Sequence, residues 1–330
     1  MSNSMPRLAR AVLSLLILAA FSALAQAERN DPGSLLIFPE YDARPGSLTF
    51  LTVTNTSSDS VDGSVRVHFN YVDGETCLKA DAWETLTPRD TVTFLTQNHA
   101  PNHGRGFCFA YARGMTAPSP TDFDHLIGSA VVLDGTTGSQ YSINALVYEG
   151  RTGHGNPTDV DGDGVRDLDG LEYGMAPDKI AIPRFFGQPD PSTGGGFPHA
   201  ELVFVGMTGT QFDTTVNFLI FNDNEEVFSS QHTFGCWGRV PLTDISGVFS
   251  NDFLRDHTNH DPGEILGWSA FEAGWFEMDG GSASSNTTTI PDPAFLAALI
   301  EVDRLSSAAL PFTIGEQPNG DLLPSSLSGD

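Results

Sequence analysis

The sequence predicts an all-β chain folded as two tandem, related β-sandwiches of Ig-like or jelly-roll-like type. Three observations carry that expectation. Short runs rich in β-branched and aromatic residues recur along the chain, each bounded by Gly, Asp, Asn or Pro. Only one segment, 292–304, reads as a helix, with Asp292 near the cap and Pro293 in the first turn. The chain also matches itself, in order, over most of its length.

The strands come in sequence order. In the first half they are expected at 47–55, 64–72, 91–96, 106–112, 127–133 and 141–148, and Asp134-Gly-Thr-Thr-Gly138 reads as a hairpin turn. In the second half they are expected at 201–208, 215–221, 227–233 and 274–278. The self-matches pair 48–56 with 202–210, 65–70 with 216–222, Trp83 with Trp237, 128–135 with 274–280, 145–147 with 298–300, and 181–187 with 309–315. Many short strands with frequent turns favour sandwiches over βαβ units.

The organisation follows from these matches. Residues 1–27 read as a signal peptide: Arg7 and Arg10 precede an apolar run that ends at Ala25-Gln26-Ala27. A first sandwich is expected over 28–190, a Gly- and Pro-rich linker over 191–198, a second sandwich over 199–320, and a flexible tail over 321–330. Alignment of the halves leaves the first with an insertion, placed at 151–178. The expected location is outside the cytoplasm: periplasmic, cell-surface or extracellular.

Charge narrows the partners. The net charge is −26 with only two lysines, Lys79 and Lys179. Such a surface repels nucleic acid and anionic membranes and attracts cations. No later segment is apolar enough to span a bilayer. The expected partner is an extracellular ligand, a glycan or a protein. Export permits disulfides, and of Cys77, Cys108 and Cys236 the pairing Cys77–Cys108 is expected because both lie in the first half. Three buried free thiols are the alternative.

The sharpest chemistry lies in the insertion, which reads Asp159-Val-Asp161-Gly-Asp163-Gly164-Val165-Arg-Asp167-Leu-Asp169-Gly-Leu-Glu172. Calcium takes six to eight hard oxygens around one small volume. Asp159, Asp161, Asp163 and Asp167 stand at loop positions 1, 3, 5 and 9, Gly164 at the sharp turn, and Val165 at the position that lends a carbonyl. The segment resembles the calcium loops of thrombospondin type 3 repeats, dockerins and EF-hands, over this stretch only. Position 12 departs from the pattern, being Gly170 where a bidentate Glu is expected. Either Glu172 closes a bulged loop, or Asp169 substitutes, or coordination is incomplete. Calcium is therefore the expected ion, in a static site that stiffens a long loop.

Other constellations are weaker. His99 with His103, and His257 with His260 and Asp261, would suit zinc or copper. Trp83 and Trp237 read as matched core residues, and Trp268 with Trp275 as a sugar-stacking platform. No nucleophile elbow, S-x-x-K or H-E-x-x-H motif is present, which favours a non-catalytic role. The readings are thus an exported, calcium-stabilised structural, adhesive or ligand-binding protein; a secreted hydrolase or carbohydrate-active protein whose carboxylates the sequence does not single out; or a zinc or copper binder using the paired histidines.

Overall fold

Alternation decides which faces are buried. Strand β2 (Leu48–Asn55) turns Leu51 and Val53 inward and leaves Leu48 and Phe50 outward, the pattern of a sheet covered on one side. The other strands of the first half are β1 (Leu35–Asp42), β3 (Val65–Asp73), β4 (Lys79–Leu86), β5 (Thr91–Leu95), β6 (Arg105–Arg113), β7 (Leu126–Asp134), β8 (Ser139–Asn144) and β9 (Leu146–Tyr148). They form two antiparallel sheets, ordered β5-β2-β7-β8 and β4-β3-β6-β1-β9. Between them lies one core that includes Phe38, Leu51, Val53, Val67, Phe69, Ala130 and Ile143. This computed structural model describes residues 31–99, 104–116, 119–189, 199–209, 211–260, 263–264, 271–302 and 307–322. The expected signal peptide and the 191–198 linker lie outside them. No helix among the described residues is long and apolar enough to cross a membrane.

The second half repeats the strand plan. After a short β10 (Arg166–Leu168) come β11 (Ala176–Phe186), β12 (Ala200–Gly206), β13 (Asp213–Asn222), β14 (Val227–Phe234), β15 (Trp237–Pro241), β16 (Ala273–Ser284), β17 (Thr289–Pro291), β18 (Phe295–Glu301), β19 (Ser307–Ala309) and β20 (Phe312–Gln317). Their sheets are ordered β15-β12-β18-β19 and β14-β13-β16-β11-β20, with β17 on β16. Each strand order equals that of the first half with ten or eleven added to the strand number. The opening strands even share a bulge. The ladder shifts between Phe38 and Tyr41 in β1 and between Ile182 and Phe185 in β11, at Pro39 and Pro183, whose missing N–H cannot serve a ladder.

This plan corrects several expectations. Strand β11 opens the second half, so 181–187 corresponds to β1 and not to 309–315. Likewise β7 corresponds to β18 and β6 to β16, so the pairings of 128–135 with 274–280 and of 145–147 with 298–300 join unlike strands. Short alternating segments resemble one another whatever their place in a sheet. The acidic segment is therefore the connection between the halves and not an insertion within the first. The expected tail also begins inside a strand, β21 (Gly320–Leu322), which pairs with β10. The helix expected at 292–304 is instead strand β18. Its run Phe295-Leu-Ala-Ala-Leu-Ile300 is buried throughout, and a strand covered on both faces loses the alternation that would mark it as one.

The halves are fused rather than strung in tandem, and Pro32–Asp330 is one compact unit. Leu202, Phe204 and Leu299 face the second core. From the same strands, Val203, Ala298 and Ile300 join the first core, and Val205 and Leu296 join a third cluster with Leu35, Ile37, Phe107 and Phe109. Buried charge crosses the same joint. Arg239 Nη1 donates to Glu40 Oε1 at 2.8 Å, its Nε donates to Glu201, and Arg105 Nε donates to Glu40 at 2.7 Å. The Trp237 indole N–H donates to the Pro39 carbonyl at 2.9 Å.

A disulfide closes the joint, joining Cys77 to Cys236 and leaving Cys108 free and buried. The expected Cys77–Cys108 bridge fails because the two side chains serve different cores. Cys108 points between the first two sheets, whereas Cys77 packs on the cluster shared with the second half. Non-reducing peptide mapping should recover Cys77 with Cys236. The bridge closes a separation of 159 residues, so its removal should cost about 3–5 kcal/mol of stability, read by denaturant titration. Arg239→Met should cost about 3 kcal/mol in the same titration, because it leaves buried carboxylates short of a partner.

Candidate metal centre

The connection between the halves is held at both ends. Gly174 N donates to Glu149 O and Arg151 N to Glu172 O, at 3.0 and 2.9 Å. Tyr173 is fully buried, with Thr158 Oγ1 at 2.8 Å from its hydroxyl. Val165 and Leu168 are buried too, so the acidic loop rides on an anchored frame. The anchor includes the far end of the chain, since Asp167 sits opposite Asp321 in the β10–β21 pair.

Within the loop, side chains order the backbone and the backbone orders the carboxylates. Asp159 Oδ1 accepts from Gly162 N at 3.0 Å, Asp161 Oδ1 from Asp163 N at 3.1 Å, and Asp163 Oδ1 from Val165 N at 2.7 Å. Gly164 has φ +82°, a conformation that L side chains resist. Two triads of carboxylates result. Asp159, Asp161 and Asp163 each bring an oxygen within 4.8 Å of the others, and so do Asp161, Asp167 and Glu172. Asp161 belongs to both.

Glu172 thus stands where position 12 was in question. Gly170 takes φ +83°, and Asp169 Oδ1 accepts from Leu171 N at 2.7 Å and from Glu172 N at 3.0 Å. That turn carries Glu172 back over the loop, where its Oε1 accepts from Val160 N. Asp169 acts as the pivot of the turn and joins neither triad. The Val165 carbonyl accepts from Arg166 Nε at 2.6 Å, and Arg166 Nη2 lies 3.4 Å from Asp159 Oδ2. A guanidinium therefore holds the carbonyl that the loop pattern would lend to an ion.

The electrostatics are those of crowded anions. Burial, then the charges of Asp321, Glu172, Asp163 and Asp161, push the Asp167 carboxyl up to about 7. Burial foremost also raises Glu172, and burial with Asp163 and Asp169 raises Asp321. Sequence reasoning missed Asp321, which stands too far along the chain for any spacing rule to reach. By donor type, the hard carboxylate oxygens of the two triads suit a calcium ion. Imidazole and thiolate are absent from both triads.

Those of the other predicted residues that are described do not assemble. The His99 Nδ1 meets the Tyr71 hydroxyl at 2.7 Å and its ring lies 3.9 Å from that of Phe94, and burial lowers its pKa to about 4; it is a half-buried histidine packed on Phe69 and Phe94. His257 stacks on Phe253 at 4.2 Å, and His260 lies 3.4 Å from Asp223. His103 and Asp261 lie outside the described residues. Trp83 and Trp237 are not counterparts, standing on β4 and β15. Trp83 is 47% exposed, with one face against His68 at 3.6 Å and Arg113 4.4 Å away. Trp275 stacks on Phe221 at 4.1 Å, and Trp268 lies outside the described residues. A further acidic group, Asp178, Asp279 and Asp292, has Lys179 Nζ 3.2 Å from Asp279.

No protein-family model matches the chain, and no curated protein matches it. Among solved structures it is similar to one titled "Crystal Structure of Thermotoga maritima 1070", at 10% identity over 39% of this chain and 100% of that one, with a TM-score of 0.28. That likeness is too slight to carry an argument.

The raised Asp167 value has a sign. In calcium-free solution the folded chain keeps a proton that the unfolded chain releases between about pH 4 and about 7. The contribution of this group to stability is full below that window and falls as pH rises through it. Asp167→Asn should therefore melt above the unsubstituted chain at about pH 8 and lose that advantage at about pH 4, as thermal scans in chelator would read.

Proposed function

We propose that the protein is an exported, calcium-stabilised β-sandwich protein with a structural, adhesive or ligand-binding role rather than a catalytic one. One observation carries the calcium reading: two carboxylate triads share Asp161, at the connection between the halves. Calcium there neutralises the crowding that raises Asp167. It also ties the connection to the frame on which β21 rests. The basic and apolar leader supports export. The charge of −26 favours a neutral or cationic partner, a glycan or a protein surface, over nucleic acid.

A hydrolase is the second reading, favoured by one feature. A carboxyl raised to about 7 beside another carboxylate resembles a general acid with its partner. Calcium binding separates the two readings, because an ion on Asp167 and Glu172 removes the proton that acid catalysis needs.

Calcium should raise the melting temperature of the full chain, by about 2.7 kcal/mol of stabilisation at a hundredfold excess over Kd. Asp161→Ala with Asp163→Ala should abolish that gain. A melt unchanged between calcium and chelator, together with glycan hydrolysis lost in Asp167→Asn, would establish the hydrolase instead.

A further inference from the structure

Away from the acidic loop, the chain forms an open cleft of about 490 Å³ whose lining includes Asp122, Asp124, His125, Arg151 and His154. Its walls are built rather than incidental. Asp122 Oδ2 accepts from Thr152 N and Gly153 N at 3.1 and 2.7 Å, and the Asp122 carbonyl accepts from Gly155 N at 2.8 Å. The segment bearing His154 is thereby pinned to the one bearing His125. The His125 carbonyl is held in turn by Thr56 N at 2.8 Å and Thr56 Oγ1 at 2.9 Å.

The side chains facing the cleft are those that take a borderline metal. The His125 and His154 rings lie 5.8 Å apart, near the roughly 5 Å separation that two imidazoles sharing a tetrahedral ion adopt at bond lengths of about 2 Å. Among the described residues neither imidazole has a hydrogen-bond partner. Phe123 supports both rings, at 5.0 and 5.7 Å. Among the described residues Asp124 is fixed through one oxygen: Oδ1 accepts from Ser34 Oγ at 2.6 Å and from Gly150 N at 2.8 Å. Arg151, the cation of the cleft, lies 3.3 Å from Glu149.

We propose that His125, His154 and the second oxygen of Asp124 hold a divalent transition ion of the zinc or copper class in this cleft, separate from the acidic loop. Two imidazole nitrogens and one carboxylate oxygen select zinc or copper over calcium. The open mouth leaves positions for water, so the ion exchanges. The three ligand atoms are not gathered at one point beforehand. His154 is exposed, and rotation about its side-chain bonds brings its ring to the ion. Burial, Asp122 and Glu149 raise the Asp124 carboxyl, an acidic surrounding that a cation relieves.

The test uses the full chain with calcium in excess. Zinc titration by calorimetry should show an equivalent that His125→Asn with His154→Gln removes and Asp161→Ala with Asp163→Ala retains. Copper substituted for zinc should give an electron paramagnetic resonance spectrum split by two imidazole nitrogens, reduced to one in His154→Gln. Because His154 is exposed, that single variant remains informative if the double variant unfolds. Zinc uptake unchanged in His154→Gln, or a copper spectrum with oxygen ligands only, would overturn the site.

Discussion

The structure depends on a joint in which a strand of each half is buried on both faces. Strand β1 has no exposed residue, and β12 and β18 divide their side chains among three clusters. A sheet so placed cannot stand alone, because either half without the other would present a broad apolar face to water. Arg239 fixes how the faces meet. Its guanidinium is 2% exposed and reaches Glu40, itself 1% exposed, across the joint. A charge pair this deep adds little net stability, but a sliding of the sheets that parted it would leave two uncompensated charges in the interior. Apolar contact holds the halves together, and the ion pair holds them in register.

That joint explains where the acidic loop sits. The chain leaves the first half at β9 and enters the second at β11, and the segment between must turn without a sheet of its own to lean on. It leans instead on Tyr173 and Leu168, which join the third cluster, on the buried Val165, and on β21. An ion held by Asp161 and its neighbours would fix a connection that hydrogen bonds alone leave crowded with like charge. Disulfide, ion pair and proposed calcium all act on the same seam.

The sequence made the strands legible and the seam illegible, for a physical reason. Where one face of a strand meets solvent, as in β2 or β13, alternation survives and can be read. In Phe295–Glu301 both faces are buried, and Ala and Leu in unbroken succession read as a helix. The acidic loop was legible because its carboxylates lie within a few residues of one another, so Asp159, Asp161, Asp163 and Asp167 follow from spacing, whereas the turn at Gly170 that carries Glu172 back over the loop does not. Asp321 and the Cys77–Cys236 partnership come from chain segments far apart in sequence, and only the packing of one half on the other brings them together. The repeat of the strand plan was legible in outline but not in its register, because matched alternation says that two segments are strands and not which strands they are.

Aligning the halves on their shared bulges shows how one strand plan serves two roles. The row Leu35, Tyr111, His68, Trp83 crosses β1, β6, β3 and β4. Its counterpart across β11, β16, β13 and β14 is Lys179, Asp279, Asn217, Gln231. The first row is aromatic and apolar, and its Leu35 end is covered by the second half. The second row faces outward and is closed by its own polar contacts, Lys179 to Asp279 at 3.2 Å and Gln231 to Asn217 at 2.7 Å. The stacking is head-to-tail: a five-stranded sheet of one half meets a four-stranded sheet of the other. Such an arrangement does not close on itself, so two alike halves would invite a third. Lys179 and Asp279 stand where Leu35 and Tyr111 stand in the first half, so this row is polar where its counterpart is covered, while Leu219, Trp275, Phe312 and Ile314 stay partly exposed on the flanking strands.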